Sequence, residues 1–434
     1  MKLLYILPEY LPESGGGIIS FYANLLPCLV ERCHEVEVLV ASHLTLDRPT
    51  RIENGVKVEY LQSCFANKAQ AGCGKFKNDF LCAFLPLAWG AYNQKKSGEG
   101  FDIVEATDWG LLFMPWVVSP RKAKVVVSLH GSNGQLDWYS ASAQRGAFDG
   151  GFVRLLETES LRLADRLHAN SRSNAAFWSD RTGCEVQVIP PVFDSLAAIS
   201  SVGKSKNGLV VGRLQSLKGA EVLCQALTQI KGIQIEWVGK DLPWESGSET
   251  TSSFLAKKYP DVFGQSLSWT TAMPHNEVLQ KIANASFLVV ASVWEVFNLT
   301  VLEAMAAGTP VICSRNAGAE MMIEDGVTGF LFDPERPADL AKKLKEVAAL
   351  SGYQREAMIC KAKDYLKKTL DSDIIMHLLE KSYTETLTEE RQVEPDFWLS
   401  KFLELDFDLK NAPPKSFPQR VASKIRRLIT TTRL

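Results

Sequence analysis

Short apolar runs alternate along most of the chain with amphipathic segments of helical period. The runs are nearly uniformly apolar, which is typical of strands buried on both faces of a parallel sheet. Between them, apolar residues recur at the spacing of a helix that packs one face against a core. Alternation of this kind predicts an α/β protein in which helices cover both faces of a parallel sheet.

The first half of the chain carries one such series, which ends near residue 194. Strands are predicted at 3–7, 36–40, 56–61, 101–105, 124–129, 166–170 and 186–189. Helices are predicted at 18–32, 76–95, 109–118 and 151–164, and an irregular loop at 63–75.

The alternation restarts after residue 207. Strands are predicted at 208–212, 233–239, 266–269, 287–292 and 311–314. Helices are predicted at 219–230, 274–283, 301–307, 338–350, 354–370 and 373–388. A chain of 434 residues suits two domains. We expect them at 1–194 and 208–370, joined by a Ser-, Gly- and Lys-containing linker at 195–207.

Composition indicates a soluble globular protein, with 46% hydrophobic and 23% charged residues. The formal net charge of -2 provides no general attraction to nucleic acid. Nine dispersed cysteines without metal-ligand spacing suggest reduced thiols in the cytoplasm. We expect no signal peptide, and no run approaches the roughly 20 apolar residues that span a bilayer.

The predicted tail, residues 391–434, differs from the rest of the chain. It is acidic with interleaved aromatic residues at 395–409 and strongly basic over 410–434. One interpretation is a peripheral contact of 410–434 with anionic lipid on the inner face of a membrane. The commoner outcome for such a segment is a solvated tail that packs on the first domain.

Glu295 and Glu303 lie where a predicted strand passes into a predicted helix. Open α/β sheets bind ligands at this carboxyl edge of their strands. Gly308, followed by Thr and Pro, predicts the end of the helix. Both glutamates also fit capping boxes, with Thr300 and Ser292 three positions earlier. These residues alone leave ligand binding and helix capping equally open.

Two further strand ends carry candidate chemistry. A glycine loop, 15–17, precedes the first helix, and such loops let backbone N–H groups approach a phosphate. The alternative interpretation of this glycine loop is a flexible turn. His130 and Gly131 follow the strand at 124–129. His130 is a candidate for hydrogen bonding to a substrate hydroxyl or for proton handling, although most such histidines are ordinary turn residues.

Arg213 and Lys218 lie in a loop bracketed by Gly212 and Gly219, after the first strand of the second domain. Arginine binds phosphate through two N–H groups, and lysine adds a point charge. Arginine and lysine side chains are more often solvated at the protein surface, and that alternative stays open.

Glu295 and Glu303, with the residues at 297–302 and 304–311, resemble the E-x7-E signature of family 4 glycosyltransferases. The cationic loop at 212–219, the glycine loop and His130 fall in the order typical of that family. The resemblance covers about 3–388. It implies the GT-B fold, in which two Rossmann-like βαβ domains face a central cleft. It also implies a C-terminal helix at 371–390 that crosses back to the N-terminal domain.

The resemblance further implies roles for individual side chains. Arg213 and Lys218 would hold the donor diphosphate, and Glu303 would bind the ribose hydroxyls. Glu295 would contact the donor sugar. His130 would lie near the reacting face of that sugar.

Backbone groups would contact phosphate or sugar at five more positions by the same resemblance. These are Gly16, Gly17, Asn298, Leu299 and Thr300. Asn298 stands where the family usually has glycine. Asparagine tolerates positive φ better than most residues.

The implied activity is retaining transfer of a hexose from a nucleotide diphosphate sugar to a saccharide or lipid-linked acceptor, in glycan or polysaccharide biosynthesis. No bound metal or other cofactor is implied, because two cations and helix N-termini would neutralise the departing diphosphate. The alternatives are an epimerase or phosphorylase of the same fold, or a non-catalytic sugar-nucleotide-binding protein. A non-catalytic protein of this kind would be expected to lack a phosphate-binding cation or a carboxylate of the E-x7-E motif, and this chain lacks neither.

Overall fold

A computed structural model describes residues 1–12, 16–73, 78–139, 148–193, 205–245 and 247–390. Predictions for the tail at 391–434, for Gly15 and for most of the linker at 195–207 concern residues outside these ranges. None of the described helices is long and apolar enough to cross a bilayer.

The first domain is built on a sheet that has eight strands within the described residues. They are β1 (Lys2–Leu7), β2 (Glu35–Val40), β3 (Arg51–Glu53), β4 (Val56–Tyr60), β5 (Ile103–Thr107), β6 (Lys124–Leu129), β7 (Arg166–Ala169) and β8 (Val186–Val188). The spatial order is β3-β4-β2-β1-β5-β6-β7-β8. Only the short hairpin of β3 with β4 is antiparallel among these pairs.

Seven α-helices accompany this sheet in the described part of the chain. They are α1 (Gly17–Glu31), α2 (Ser63–Cys73), α3 (Asp79–Gln94), α4 (Met114–Val118), α5 (Asn133–Tyr139), α6 (Phe148–Leu161) and α7 (Arg172–Thr182). Alternate residues of β1 enter different cores: Leu3 and Tyr5 pack into one, and Leu4 and Ile6 into the other. A strand with two buried faces needs a uniformly apolar sequence, which explains the pattern in the chain.

The loop predicted at 63–75 is wrong, because Ser63–Cys73 forms helix α2. Its sequence is rich in small and polar residues and gives little helical periodicity. Ala66 and Ala69 are nevertheless buried, and a Cβ on Gly90 of α3 would lie 3.1 Å from the backbone nitrogen of Ala66. The small residues thus permit close helix packing, a tertiary effect that local propensity does not report.

The second domain contains a parallel sheet with the order β11-β10-β9-β12-β13-β14. Its strands are β9 (Gly208–Val211), β10 (Ile235–Val238), β11 (Leu267–Thr270), β12 (Phe287–Val290), β13 (Val311–Ser314) and β14 (Phe330–Phe332). The helices are α8 (Ala220–Leu227), α9 (Thr251–Lys258), α10 (His275–Asn284), α11 (Thr300–Ala307), α12 (Pro337–Ala348), α13 (Gly352–Thr369) and α14 (Ser372–Thr388). The two sheets confirm the predicted α/β architecture.

The last described helix, α14, packs on the first domain. Tyr383 is fully buried there, and its hydroxyl lies 2.7 Å from that of Tyr5 on β1. At the surface, Arg32 holds Glu380 through two hydrogen bonds of 2.9 and 3.0 Å. This placement confirms the predicted crossing back of the C-terminal helix.

We predict that Glu380→Gln destabilises the protein by about 1 kcal/mol at pH 7 and by less at pH 4. Hydrogen bonds from Arg32 lower the pKa of Glu380 from 4.5 to about 2. The stabilisation is therefore complete above the unfolded pKa and is lost as the pH falls from about 5 toward 2. Urea unfolding of both proteins at the two pH values measures the difference.

Glu385→Gln on the same helix is the control, because Glu385 faces Lys381 at 3.8 Å in a more exposed pair. It should change the free energy of unfolding by a few tenths of a kcal/mol, about the value for exposed i,i+4 pairs. Equal effects of the two variants, or a Glu380→Gln effect independent of pH, would contradict the prediction.

Candidate active site

Two loops of the second domain are held against each other at the carboxyl edge of its sheet. Gly219 ends the cationic loop with φ +74, and a Cβ there would lie 1.8 Å from the carbonyl oxygen of Ala291. Only glycine permits this approach. The backbone of Val293 also donates to the carbonyl of Leu217 at 2.9 Å. These contacts bring Lys218 to the loop that follows β12.

Lys218 and Glu295 form an ion pair between these loops, with side chains only 19% and 17% exposed. The other carboxylate oxygen of Glu295 accepts hydrogen bonds from Ser292 at 2.9 Å and Asn298 at 2.8 Å. Burial alone would raise the pKa of Glu295, but Lys218 and these donors together hold it below the usual value. The carboxylate is therefore ionised at neutral pH and fixed on both oxygens.

Asn298 combines a glycine-like backbone with a bridging side chain. Its φ is +90, so the asparagine adopts the conformation for which glycine is usually needed. Its amide nitrogen holds Glu295, while its Oδ1 accepts from the backbone nitrogen of Thr300 at 3.1 Å and from the Thr300 hydroxyl. Asn298 thus ties the motif carboxylate to the first turn of α11.

Glu303 lies in the first turn of α11. Its Oε1 is 2.9 Å from Nε2 of His275, and the two form a hydrogen bond. This hydrogen bond is the main cause of a raised pKa at His275. The N-cap position of α11 is Leu299, which makes no side-chain cap. The capping-box interpretation is therefore wrong for Glu303, and equally for Glu295, whose bond with Ser292 joins two side chains outside a helix.

His130 lies at the carboxyl end of β6 in the first domain. Buried Asp108 accepts from the backbone nitrogens of His130 at 2.8 Å and Gly131 at 3.2 Å. This holds the turn in place. Burial raises the pKa of Asp108 to about 7 and lowers that of His130 to about 3. The imidazole is therefore neutral at physiological pH.

The two domains meet directly beside these residues. The ring of Tyr139 stacks on that of Trp294 with centroids 4.7 Å apart and planes 7° apart. The Ser171 hydroxyl donates to the carbonyl of Val296 at 2.7 Å, and a Cβ on Gly131 would lie 3.0 Å from the Val296 side chain. The segment 294–296 therefore brings Glu295 to the rim that carries His130.

The remaining predicted residues lie in the loops that follow β9, β12 and β1, and no described side-chain contact joins them to Glu295. Arg213 is exposed just after β9, and Leu299 packs against the core between Asn298 and α11. Gly16 and Gly17 begin α1, where a Cβ on Gly17 would meet nothing within 4 Å. The described contacts do not join Arg213, Gly16 or Gly17 to Glu295.

Three supporting residues are not predicted from the sequence in the roles that they have here: Ser292, Asp108 and His275. The sequence predicts Ser292 only as a helix cap. Asp108 follows β5, the neighbour of β6, so the general rule that adjacent strand ends share an edge was a usable signal. No local signal pairs His275 with Glu303. Within the described ranges, no group of three His, Cys, Asp or Glu side chains is arranged to hold a metal ion.

Comparison with known families gives two consecutive matches. Residues 16–191 match the glycosyl transferase 4-like domain, and residues 195–365 match the glycosyl transferases group 1 domain. The chain is 25% identical over 384 residues to D-inositol 3-phosphate glycosyltransferase of Streptomyces bingchenggensis, covering 81% of this chain and 82% of that one. The corresponding Mycolicibacterium smegmatis protein is 27% identical over 373 residues, covering 80% and 83%.

Solved structures show the same fold. Sucrose-phosphate synthase from Thermosynechococcus elongatus superposes with a TM-score of 0.69 at 18% identity, covering 89% of this chain and 99% of that one. Anabaena HepE in complex with UDP-glucose gives a TM-score of 0.64 at 19% identity, covering 88% and 100%. The predicted GT-B architecture is confirmed, and the chain belongs to the group 1 glycosyltransferases with a glycosyltransferase 4-like first domain.

Proposed function

We propose that this glycosyltransferase moves a hexose from a nucleotide diphosphate sugar to an acceptor hydroxyl with retention of anomeric configuration. The observation that carries the proposal is the Glu295 carboxylate, fixed by Lys218, Ser292 and Asn298 on the rim that faces His130. A rigid carboxylate beside a cation suits a sugar hydroxyl on one side and a phosphate on the other.

The proposed donor is a UDP-sugar. Several solved neighbours are complexes with UDP or a UDP-sugar, including HepE with UDP-glucose. Lys218 has three N–H donors, so its ammonium group is able to keep Glu295 and also bind a phosphate oxygen. The Arg213 side chain is exposed and would add a second cation. Glu303 would receive the ribose hydroxyls in place of His275.

In the proposed reaction, the bond between the anomeric carbon and the leaving phosphate oxygen breaks while the acceptor oxygen attacks the same face. The leaving phosphate oxygen takes the acceptor's proton. Lys218, Arg213 and the N-terminus of α1 near Gly16 and Gly17 would stabilise the developing negative charge, so no bound metal is required. Glu295 already makes hydrogen bonds through both oxygens, which favours orienting the sugar over acting as a nucleophile.

The acceptor class is proposed more broadly, as a saccharide or lipid-linked hydroxyl compound in glycan or polysaccharide biosynthesis. The similar D-inositol 3-phosphate glycosyltransferases add a phosphorylated polyol to the candidates. We also propose a cytoplasmic location, with the basic segment 410–434 as the candidate for peripheral membrane contact. Nucleic acid is not a proposed partner.

The first test is product analysis with UDP-sugars, a panel of saccharide and polyol acceptors, and excess EDTA. Proton NMR of the new glycoside should show the anomeric configuration of the donor, because attack and departure occur on the same face. The rate should be unchanged by EDTA. An inverted product, or activity that returns only with Mg²⁺ or Mn²⁺, would contradict the proposal. Epimerised donor formed without acceptor would instead indicate an epimerase.

A second prediction concerns Asn298. Asn298→Gly keeps the positive φ but removes the hydrogen bond to Glu295, so kcat/KM for the donor should fall about tenfold or more. Asn298→Ala removes the same bond and adds strain at φ +90, so it should also lower the melting temperature. Steady-state kinetics and thermal unfolding measure both effects.

The comparison between these variants separates the effect of the Asn298 side chain from the effect of its backbone conformation. If Asn298→Gly retains full activity while Asn298→Ala loses it, the asparagine serves only the backbone conformation. The proposed support of Glu295 would then be wrong.

A further inference from the structure

A buried carboxylate lies beneath the site and takes no part in the proposed reaction. Glu105, on β5, is 2% exposed. Its Oε1 accepts hydrogen bonds from Ser128 at 2.7 Å and Tyr22 at 3.1 Å, and its Oε2 accepts from Tyr383 of α14 at 2.5 Å. The nearest ring nitrogen is Nδ1 of His168, 4.0 Å from Oε2. Burial lowers the pKa of His168 to about 3, so this imidazole adds no charge.

Tyr22 connects this carboxylate to the cleft. Its hydroxyl oxygen also lies 3.2 Å from Nε2 of His130, whose ring packs edge-on against Phe21. A phenol has a single hydrogen to donate. Because that hydrogen goes to Glu105, the oxygen of Tyr22 faces His130 as an acceptor. Nε2 of His130 must therefore carry the proton.

The direction of the Tyr22 hydrogen bond is the same whether Glu105 is ionised or protonated at Oε2. Burial raises the pKa of this carboxyl, against the three hydroxyl donors that lower it. If Glu105 is ionised, both oxygens only accept. If it is protonated at Oε2, Oε1 still only accepts, and Tyr22 still donates to it. Only a proton on Oε1, where Tyr22 and Ser128 already converge, would reverse the direction.

A neutral imidazole protonated at Nε2 has a bare lone pair at Nδ1. Within the described residues, Nδ1 of His130 has no hydrogen-bond partner. The adjoining Gly131 faces Val296 and Trp294 of the second domain, next to Glu295. His130 therefore lies at the rim at which the two domains meet.

We propose that Glu105, acting through Tyr22, fixes His130 as the Nε2–H tautomer and so presents Nδ1 in the cleft as an acceptor for a sugar hydroxyl. Glu105 and Tyr22 are then positioning residues, and His130 orients the sugar by accepting a hydrogen bond. It neither donates that bond nor acts as a base. The role in the cleft rests on the proposed glycosyl transfer, whereas the tautomer rests on the hydrogen-bond geometry alone.

The test is a two-bond ¹⁵N–¹H NMR correlation of the full chain labelled at its six histidines. The His130 signals are assigned by their loss in His130→Gln. The wild-type protein should give the Nε2–H pattern at His130. Tyr22→Phe removes the acceptor and should move the pattern toward Nδ1–H. Glu105→Leu leaves the Tyr22 hydroxyl without its carboxylate acceptor and should do the same where the variant folds, as judged by circular dichroism.

Tyr383→Phe is the matched control, because it deletes another tyrosine hydroxyl that donates to Glu105 but leaves the Tyr22–His130 contact intact. It should keep the wild-type tautomer and a donor kcat/KM within about twofold. Tyr22→Phe should lower donor kcat/KM about tenfold, the size expected for one misdirected hydrogen bond.

An Nδ1–H pattern in the wild-type protein, or an unchanged tautomer in Tyr22→Phe, would overturn the inference. So would equal kinetic losses in Tyr22→Phe and Tyr383→Phe. A protein that shows the expected tautomers but transfers no sugar would instead overturn the proposed function and leave the tautomer assignment standing.

Discussion

The ion pair of Lys218 with Glu295 is the interaction on which the site depends. Burying two charges costs solvation, and that cost is offset only when geometry and further hydrogen bonds are favourable. Here the close backbone approach at Gly219 supplies the geometry, and Ser292 and Asn298 supply the additional donors. Lys218 is thus held in position by the carboxylate of Glu295.

The first domain completes the site through polar contacts at the carboxyl edge of its sheet. Asp108 fixes the backbone that carries His130, and Ser171 holds the carbonyl of Val296, next to Glu295. Behind this rim, Tyr383 of α14 reaches the buried Glu105. One polar network thus links the crossing helix, the first sheet and the cleft.

Much of the fold could be predicted from the sequence, because strands buried on both faces leave uniformly apolar runs. The carboxyl-edge positions of Glu295 and His130 followed from the same pattern. The rest depends on tertiary contacts. Helix α2 is stabilised by the packing of small residues that give no strong periodicity, and the bond of His130 with Tyr22 joins residues far apart in the chain. No local spacing encodes such contacts.

The most direct measurement is calorimetric binding of UDP and of the cognate UDP-sugar to the wild-type protein, Glu295→Gln and Lys218→Ala. We expect Glu295→Gln to keep its affinity for UDP but to bind the UDP-sugar about tenfold more weakly, because the proposed donor contact of the carboxylate is with the sugar and not with the diphosphate. Lys218→Ala should weaken both ligands, because the ammonium group binds the diphosphate. Equal losses for both ligands in Glu295→Gln, or unchanged UDP binding in Lys218→Ala, would contradict the assignment of this ion pair to donor recognition.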